Sequence, residues 1–135
     1  MRPKEAGKDS MKNPLLPVPT ESASQQALIR WWSLQRALYS VPAEVLMSCP
    51  AQAMRTARNG ARMKAEGYRT GTPDLFLAVA RGQFHGLFIE IKRTRHGVLS
   101  DEQRDMLNRL KSQGYCTAVC KGFDEAKRVI EWYLT

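Results

Sequence analysis

"GTPDLFLAVARGQFHGLFIEIKRTRHG", residues 71–97, is the stretch whose reading decides the fold. Two apolar runs, "LFLAVA" (75–80) and "LFIEI" (87–91), flank a glycine-containing connection, the pattern of a β-hairpin. Yet Asp74 opens the first run, and Glu90 and Lys92 interrupt the end of the second. Charges are costly on strands that otherwise look buried. Three at one place need a reason.

Strand alternation groups them. Leu87, Ile89 and Ile91 point to one face, Phe88, Glu90 and Lys92 to the other. Glu90 and Lys92 are same-side neighbours, roughly 7 Å apart along the strand. With the turn centred near Gly82–Gln83, opposed residue numbers sum to about 165, so Asp74 faces Glu90, Ile91 or Lys92 at about 5 Å. A one-residue error in register is expected to leave the three charges together. Two carboxylates, the backbone carbonyl of Ile91 and waters make an oxygen site suited to Mg²⁺ or Mn²⁺. Such a cation polarises a phosphoryl oxygen and acidifies water, and Lys92 can steady the charge that develops. An E-x-K pair alone is a common strand-end ion pair. Asp74, arriving by hairpin register, makes it a constellation.

Composition agrees. The chain has 135 residues, a formal net charge of +8 and a pI near 9.8, so a polyanion, nucleic acid before acidic membrane, is the expected partner. Residues 1–69 carry 11 Lys and Arg against 5 Asp and Glu; residues 70–135 carry 10 against 8. Attraction therefore concentrates in the first half and carboxylates in the second. Cys49, Cys116 and Cys120 lack the spacing of a zinc site or a disulfide framework. No stretch approaches the ~20 apolar residues of a membrane span, and residues 1–20 lack a signal-peptide core. The expected location is the cytoplasm.

Residues 1–19 hold four of the seven prolines and read as a flexible N-terminal tail; residues 20–135 read as one domain. Thr20 or Ser22 can cap a helix through "ESASQQALIRWWSLQRAL", with Leu28, Trp31, Trp32 and Leu38 as its apolar stripe. "LYSV" (38–41) is expected as a short strand. A second helix follows Pro50 and stops at Gly67, with Arg55, Arg58 and Arg62 on one face and Lys64 beside them, a row suited to a phosphate backbone. "SDEQRDMLNRLKSQG" carries a capping box, Ser100 with Gln103, and ends at Gly114. "YCTAVCKG" is a strand and "DEAKRVIEWYL" a closing helix. The order α, β, α, β, β, α, β, α gives an α/β domain with a mixed central sheet flanked by helices.

"GTPD" and, one hairpin later, "IEIK" resemble the PD-(D/E)xK nuclease superfamily, whose core is the restriction-endonuclease fold. "GARMKAEGYRTGTPDLFL", "GLFIEIKR", "LSDEQRDMLNRLKSQGY" and "DEAKRVIEWYL", in that order, are similar to its VRR-NUC branch. The resemblance implies a Mg²⁺- or Mn²⁺-dependent phosphodiesterase acting on DNA, with Asp74 and Glu90 as metal ligands and Lys92 as the catalytic lysine. Glu21 matches an acidic residue that reaches the active site, and Gln103 a glutamine that supports it. Gln25 or Gln26 matches a further helix-one glutamine, while "VPAE" (41–44) departs from the Pro-Asn of close relatives. Arg93 and Arg95, just past the site, are expected to hold phosphates; His85 and His96 read as surface residues. Standalone members resemble phage or mobile-element enzymes that cut branched DNA as homodimers. The expected substrate is therefore a four-way (Holliday) junction in a bacterium or phage-infected host. A non-catalytic DNA-binding module and a sequence-specific restriction-type nuclease are the alternatives.

Overall fold

The structure, a computed structural model, describes residues 16–49 and 57–135. Among the described residues the α-helices and strands follow in the order α1 (Glu21–Gln35), β1 (Leu46–Ser48), α2 (Ala57–Ala65), β2 (Leu75–Leu77), β3 (Leu87–Lys92), α3 (Asp101–Ser112), β4 (Cys116–Lys121) and α4 (Phe123–Leu134). The sheet order is β1-β2-β3-β4, antiparallel for the first two pairings and parallel between β3 and β4. Parallel strands need a crossover connection. Here α3 supplies it.

Chemistry at the helix ends fixes where each begins and stops. Thr20 Oγ1 accepts the Ala23 N–H at 3.0 Å and starts α1. At α3 the Ser100 hydroxyl accepts the Gln103 N–H and the Gln103 side chain accepts the Ser100 N–H, so the capping box forms in full. The α1 stripe is shorter than its sequence pattern. Leu28 and Trp32 are buried, but the helix tightens into a 3₁₀ turn over Arg36–Tyr39 and leaves Leu38 exposed. "LYSV" is accordingly no strand: Ser40 takes a left-handed conformation, and pairing begins only at Leu46. The second helix is seen from Ala57 to Ala65; residues 51–56 lie outside the described residues, as do residues 1–15 of the expected tail.

Alternation along the sheet separates an apolar layer from a chemical one. Leu75, Leu77, Leu87, Ile89 and Ile91 face α1 and α4, where Leu28, Trp32, Ala126, Ile130 and Tyr133 complete the core. Each fully buried aliphatic chain of this kind contributes about 1.5–3 kcal/mol. Trp32 donates its indole N–H to Ala43 O at 2.9 Å, and Tyr133 donates its hydroxyl to Val79 O, so the amphipathic rings are satisfied as well as buried. Cys120 packs here too, as a small hydrophobe. On the opposite face Phe76 stacks on Phe88 at 4.4 Å, with Tyr115 edge-on at 5.2 Å from Phe88. This second face continues towards Glu90 and Lys92, and α3 lies over it.

Candidate functional site

The hairpin turn falls where the sequence puts it. Arg81 and Phe84 exchange backbone hydrogen bonds around Gly82–Gln83, and their numbers sum to 165. The ladder itself pairs Leu75 with Ile89 and Leu77 with Leu87, a sum of 164. Three residues, 78–80, therefore stand against two, 85–86, in the manner of a bulge. The extra residue is decisive. Continued regularly from its turn, the hairpin would set Asp74 opposite Ile91, whose side chain enters the apolar core. The observed register sets it opposite Glu90. A register slip is thus not harmless, contrary to the expectation from sequence, because it reverses which face a side chain occupies.

Asp74 is fixed from both strands beside it. Its Oδ2 accepts the Ile91 N–H at 2.7 Å, and its own backbone carbonyl accepts the Cys49 N–H at 2.8 Å. Glu90 is only 2% exposed. Gln103 Nε2 donates to its Oε1 at 2.9 Å, and Lys92 Nζ stands 3.6 Å from the same oxygen. The other oxygen, Oε2, is buried with no hydrogen-bond partner among the described residues. Burial, then the Asp74 charge, pushes the Glu90 carboxyl up to about 8; Lys92 opposes the shift, and the charge of Glu21 adds to it. Glu21, in the first turn of α1, therefore acts on the same centre from a third element.

Two residues join the site that sequence reading did not single out. The thiol of half-buried Cys49 is raised by burial and by the Asp74 and Glu90 charges. The Tyr68 phenol is raised by burial, then by Glu90 and Asp74. Cys49 arrives by strand pairing: β1 pairs Ser48 with Leu75, so the next residue meets Asp74. Tyr68 lies in the loop after α2, held by Gly71, which has φ +85° and would drive any Cβ into the Glu102 backbone. No period or spacing flags such a residue.

The basic residues divide differently. Arg62 and Lys64 are exposed near the end of α2, and Arg93 and Arg95 are exposed just past Lys92. Arg93 donates to Val18 O at 3.2 Å, tying the β3 exit to the segment before α1. Arg55 and the side chain of Arg58 lie outside the described residues. His85 and His96 are exposed, His96 with φ +60°, and neither is drawn towards the carboxylates.

This geometry can be compared with known proteins. The family model described as "VRR-NUC domain" matches residues 19–124, most of the chain. The chain belongs to the VRR-NUC family. A solved structure described as "VRR_NUC domain protein" is similar to it at a TM-score of 0.74 and 30% identity, over 87% of this chain and 90% of that one. A search of curated proteins gave no match. The VRR-NUC assignment accounts for the mixed sheet flanked by helices and gives the protein a nuclease-type, DNA-acting domain. Among the described residues, no helix is long and apolar enough to cross a membrane.

Proposed function

We propose that this VRR-NUC protein is a divalent-metal-dependent endonuclease that hydrolyses phosphodiester bonds in branched DNA, working as a homodimer. One observation carries the reading. Glu90 Oε2 is buried, bare of partners among the described residues, and close to the charge of a second carboxylate. A buried polar atom with no partner is costly, and such atoms mark sites that bind or react.

A cation fits the donors present. Among the described residues no three His, Cys, Asp or Glu side chains form a metal-binding group, so the donor set is Asp74, Glu90 and the Ile91 carbonyl rather than a protein cage. Hard oxygens with room for water suit Mg²⁺ or Mn²⁺. When bound, the cation would polarise a phosphoryl oxygen and acidify a neighbouring water.

The chain's own residues do the rest. Gln103 and Lys92 both engage Oε1 of Glu90, which turns Oε2 away from protein partners. The Ile91 N–H likewise holds one oxygen of Asp74. Lys92, 8% exposed, carries its ammonium in a dry setting where electrostatic interactions are strong, and donates hydrogen bonds to the phosphate or to the attacking water. Glu21 adds negative charge, which raises the Glu90 carboxyl and would equally attract a cation to the site. Arg62, Lys64, Arg93 and Arg95 meet the DNA backbone as point charges.

The test is a panel of end-labelled linear duplex, flap and four-way-junction DNAs incubated with Mg²⁺ or Mn²⁺. Cleavage of branched DNA ahead of duplex of the same sequence is the expected result. Binding without cleavage under either metal would favour a non-catalytic module, and cuts at one sequence in linear duplex would favour a restriction-type enzyme.

A further inference from the structure

Beside the carboxylates lies a cleft of about 510 Å³, within the ~300–1,000 Å³ of small-molecule sites. It is lined by Met63, Tyr68, Pro73, Phe88, Met106 and Leu110 together with the polar residues Glu66, Arg69 and Thr72. The wall is built from the elements that build the catalytic centre. Pro73 precedes Asp74, and Phe88 lies two residues before Glu90 on the same face of β3. On α3, Gln103, Met106 and Leu110 share one stripe, so the helix that holds Glu90 also lines the cleft. Tyr68 belongs to both places, since its phenol feels the Glu90 and Asp74 charges.

We propose that this cleft takes one unstacked nucleobase of the DNA strand being cut, next to the scissile phosphate. The proposal rests on the nuclease reading above and extends it to the substrate. A base is a flat apolar body with polar edges. The cleft offers an aromatic ring already held in place, Phe88 being stacked on Phe76, together with Tyr68 and two thioethers. Arg69 lines the cleft and is exposed, and Arg62 and Lys64 are exposed on the helix that supplies Met63, so cations for a phosphate chain lie on the same segment. Extruding a base from regular duplex costs unstacking and unpairing, least where the base is already unpaired. A base site beside the carboxylates therefore selects branched DNA without reading sequence.

The experiment measures binding of full-length protein to a four-way junction in EDTA, by fluorescence anisotropy. A single tetrahydrofuran abasic residue is moved through the nucleotides flanking the cut. Removal of the base at one position is expected to weaken binding about five- to a hundredfold, the range of one base–aromatic stack. Tyr68→Ala, which removes a wall, and Met106→Trp, which fills the cleft, should each reduce that penalty to less than about twofold while unmodified positions stay unaffected. Thermal melting checks both variants, and if Met106→Trp does not fold, Tyr68→Ala decides. No position-specific penalty in wild type, or one unchanged in the folded variants, overturns the base site. Cleavage of the unmodified junction with Mg²⁺ or Mn²⁺ is read separately. Absence of the penalty in wild type with its cleavage intact removes the cleft proposal alone, whereas a wild-type penalty without cleavage removes the nuclease reading alone.

Discussion

Asp74 stands across the sheet from Glu90 because the β2–β3 ladder runs one residue out of step with its own turn. The three residues 78–80, set against two on the returning strand, absorb the difference. The core fixes this offset: Leu75 and Leu77 must face inward with Leu87 and Ile89, and that burial leaves Asp74 and Glu90 together on the other side. The packing of one face thus creates the electrostatic problem of the other. Two carboxylates share a dry place with one ammonium, and the predictions follow from that imbalance.

Asp74→Asn and Glu90→Gln should each lower cleavage more than about a hundredfold, beyond the 10–100-fold typical of residues that only support a ligand. Both changes remove charge without adding bulk, so DNA binding in EDTA should be nearly unchanged. Lys92→Ala should lower cleavage comparably but also destabilise, because Glu90 loses its buried counter-charge. Single-turnover assays and anisotropy on folded variants check this. Wild-type turnover in any of the three would remove that residue from the chemistry.

The pH dependence has a definite sign. The Glu90 carboxyl titrates near 8 in the folded protein against 4.5 ordinarily, with burial the main cause. A group raised on folding binds its proton more tightly in the native state. Its contribution to stability is therefore full below about pH 4.5 and is lost as pH rises through about 8. Metal-free wild type should lose melting temperature across this window relative to Glu90→Gln. Mg²⁺ or Mn²⁺ should restore it most at the alkaline end, where no proton competes. Parallel melting curves for the two proteins in EDTA would refute the assignment of the shift to Glu90.

Gln103 performs two tasks with the two ends of one amide. Its oxygen accepts the Ser100 N–H in the capping box, and its nitrogen donates to Glu90. Gln103→Glu keeps an acceptor for the cap and destroys the donor, placing a third carboxylate near the site. Cleavage should fall about 10–100-fold while α3 stays capped. Gln103→Ala should lose the cap too, at about 1 kcal/mol. Urea unfolding of both variants beside their cleavage rates separates the tasks; equal destabilisation would mean that the cap is not what the glutamine oxygen supports.

Phosphate binding is legible in salt dependence. Replacing exposed Arg62 and Lys64 with alanine should weaken binding of all sequences alike and flatten the log–log salt slope by about 0.9 for each duplex phosphate no longer neutralised. The Arg62–Glu66 pair at 3.8 Å is solvent-exposed, so its removal should barely affect stability. An unchanged slope would turn this end of α2 away from the DNA.

How much of this the sequence disclosed depends on how local each signal was. Caps and alternation are local: Thr20, the Ser100–Gln103 box and the split of β3 into two faces were all readable. β1 was misplaced because three residues, Leu46–Ser48, are too few to show a period, while "LYSV" has strand-like composition but lies in a 3₁₀ turn and a left-handed residue. The pairing of Asp74 with Glu90 was within reach, yet its parity was not, since nothing in the composition of 78–80 announces an extra residue. Tyr68 and Cys49 enter the site only through tertiary approach. Cleft and carboxylates meet because α3 covers both.

Assembly is the last property that the surface can decide. The described residues hold one carboxylate centre, whereas resolving a four-way junction takes two symmetric cuts, so the proposed activity needs either two copies or two successive acts of one. Ile130, Tyr133 and Leu134 of the last helix are buried within their own domain. Trp132 is the exception: it is 63% exposed on the last helix. A large exposed apolar side chain is a common anchor of interfaces, and a two-fold dimer would place it against the same surface of the second copy. Trp132→Glu should therefore convert dimer to monomer in light scattering, leave the fold within about 0.5 kcal/mol as surface changes usually do, and reduce junction cleavage more than nicking of linear duplex. A wild type that is monomeric at working concentration and still resolves junctions symmetrically would show that the two cuts are made in succession by one copy.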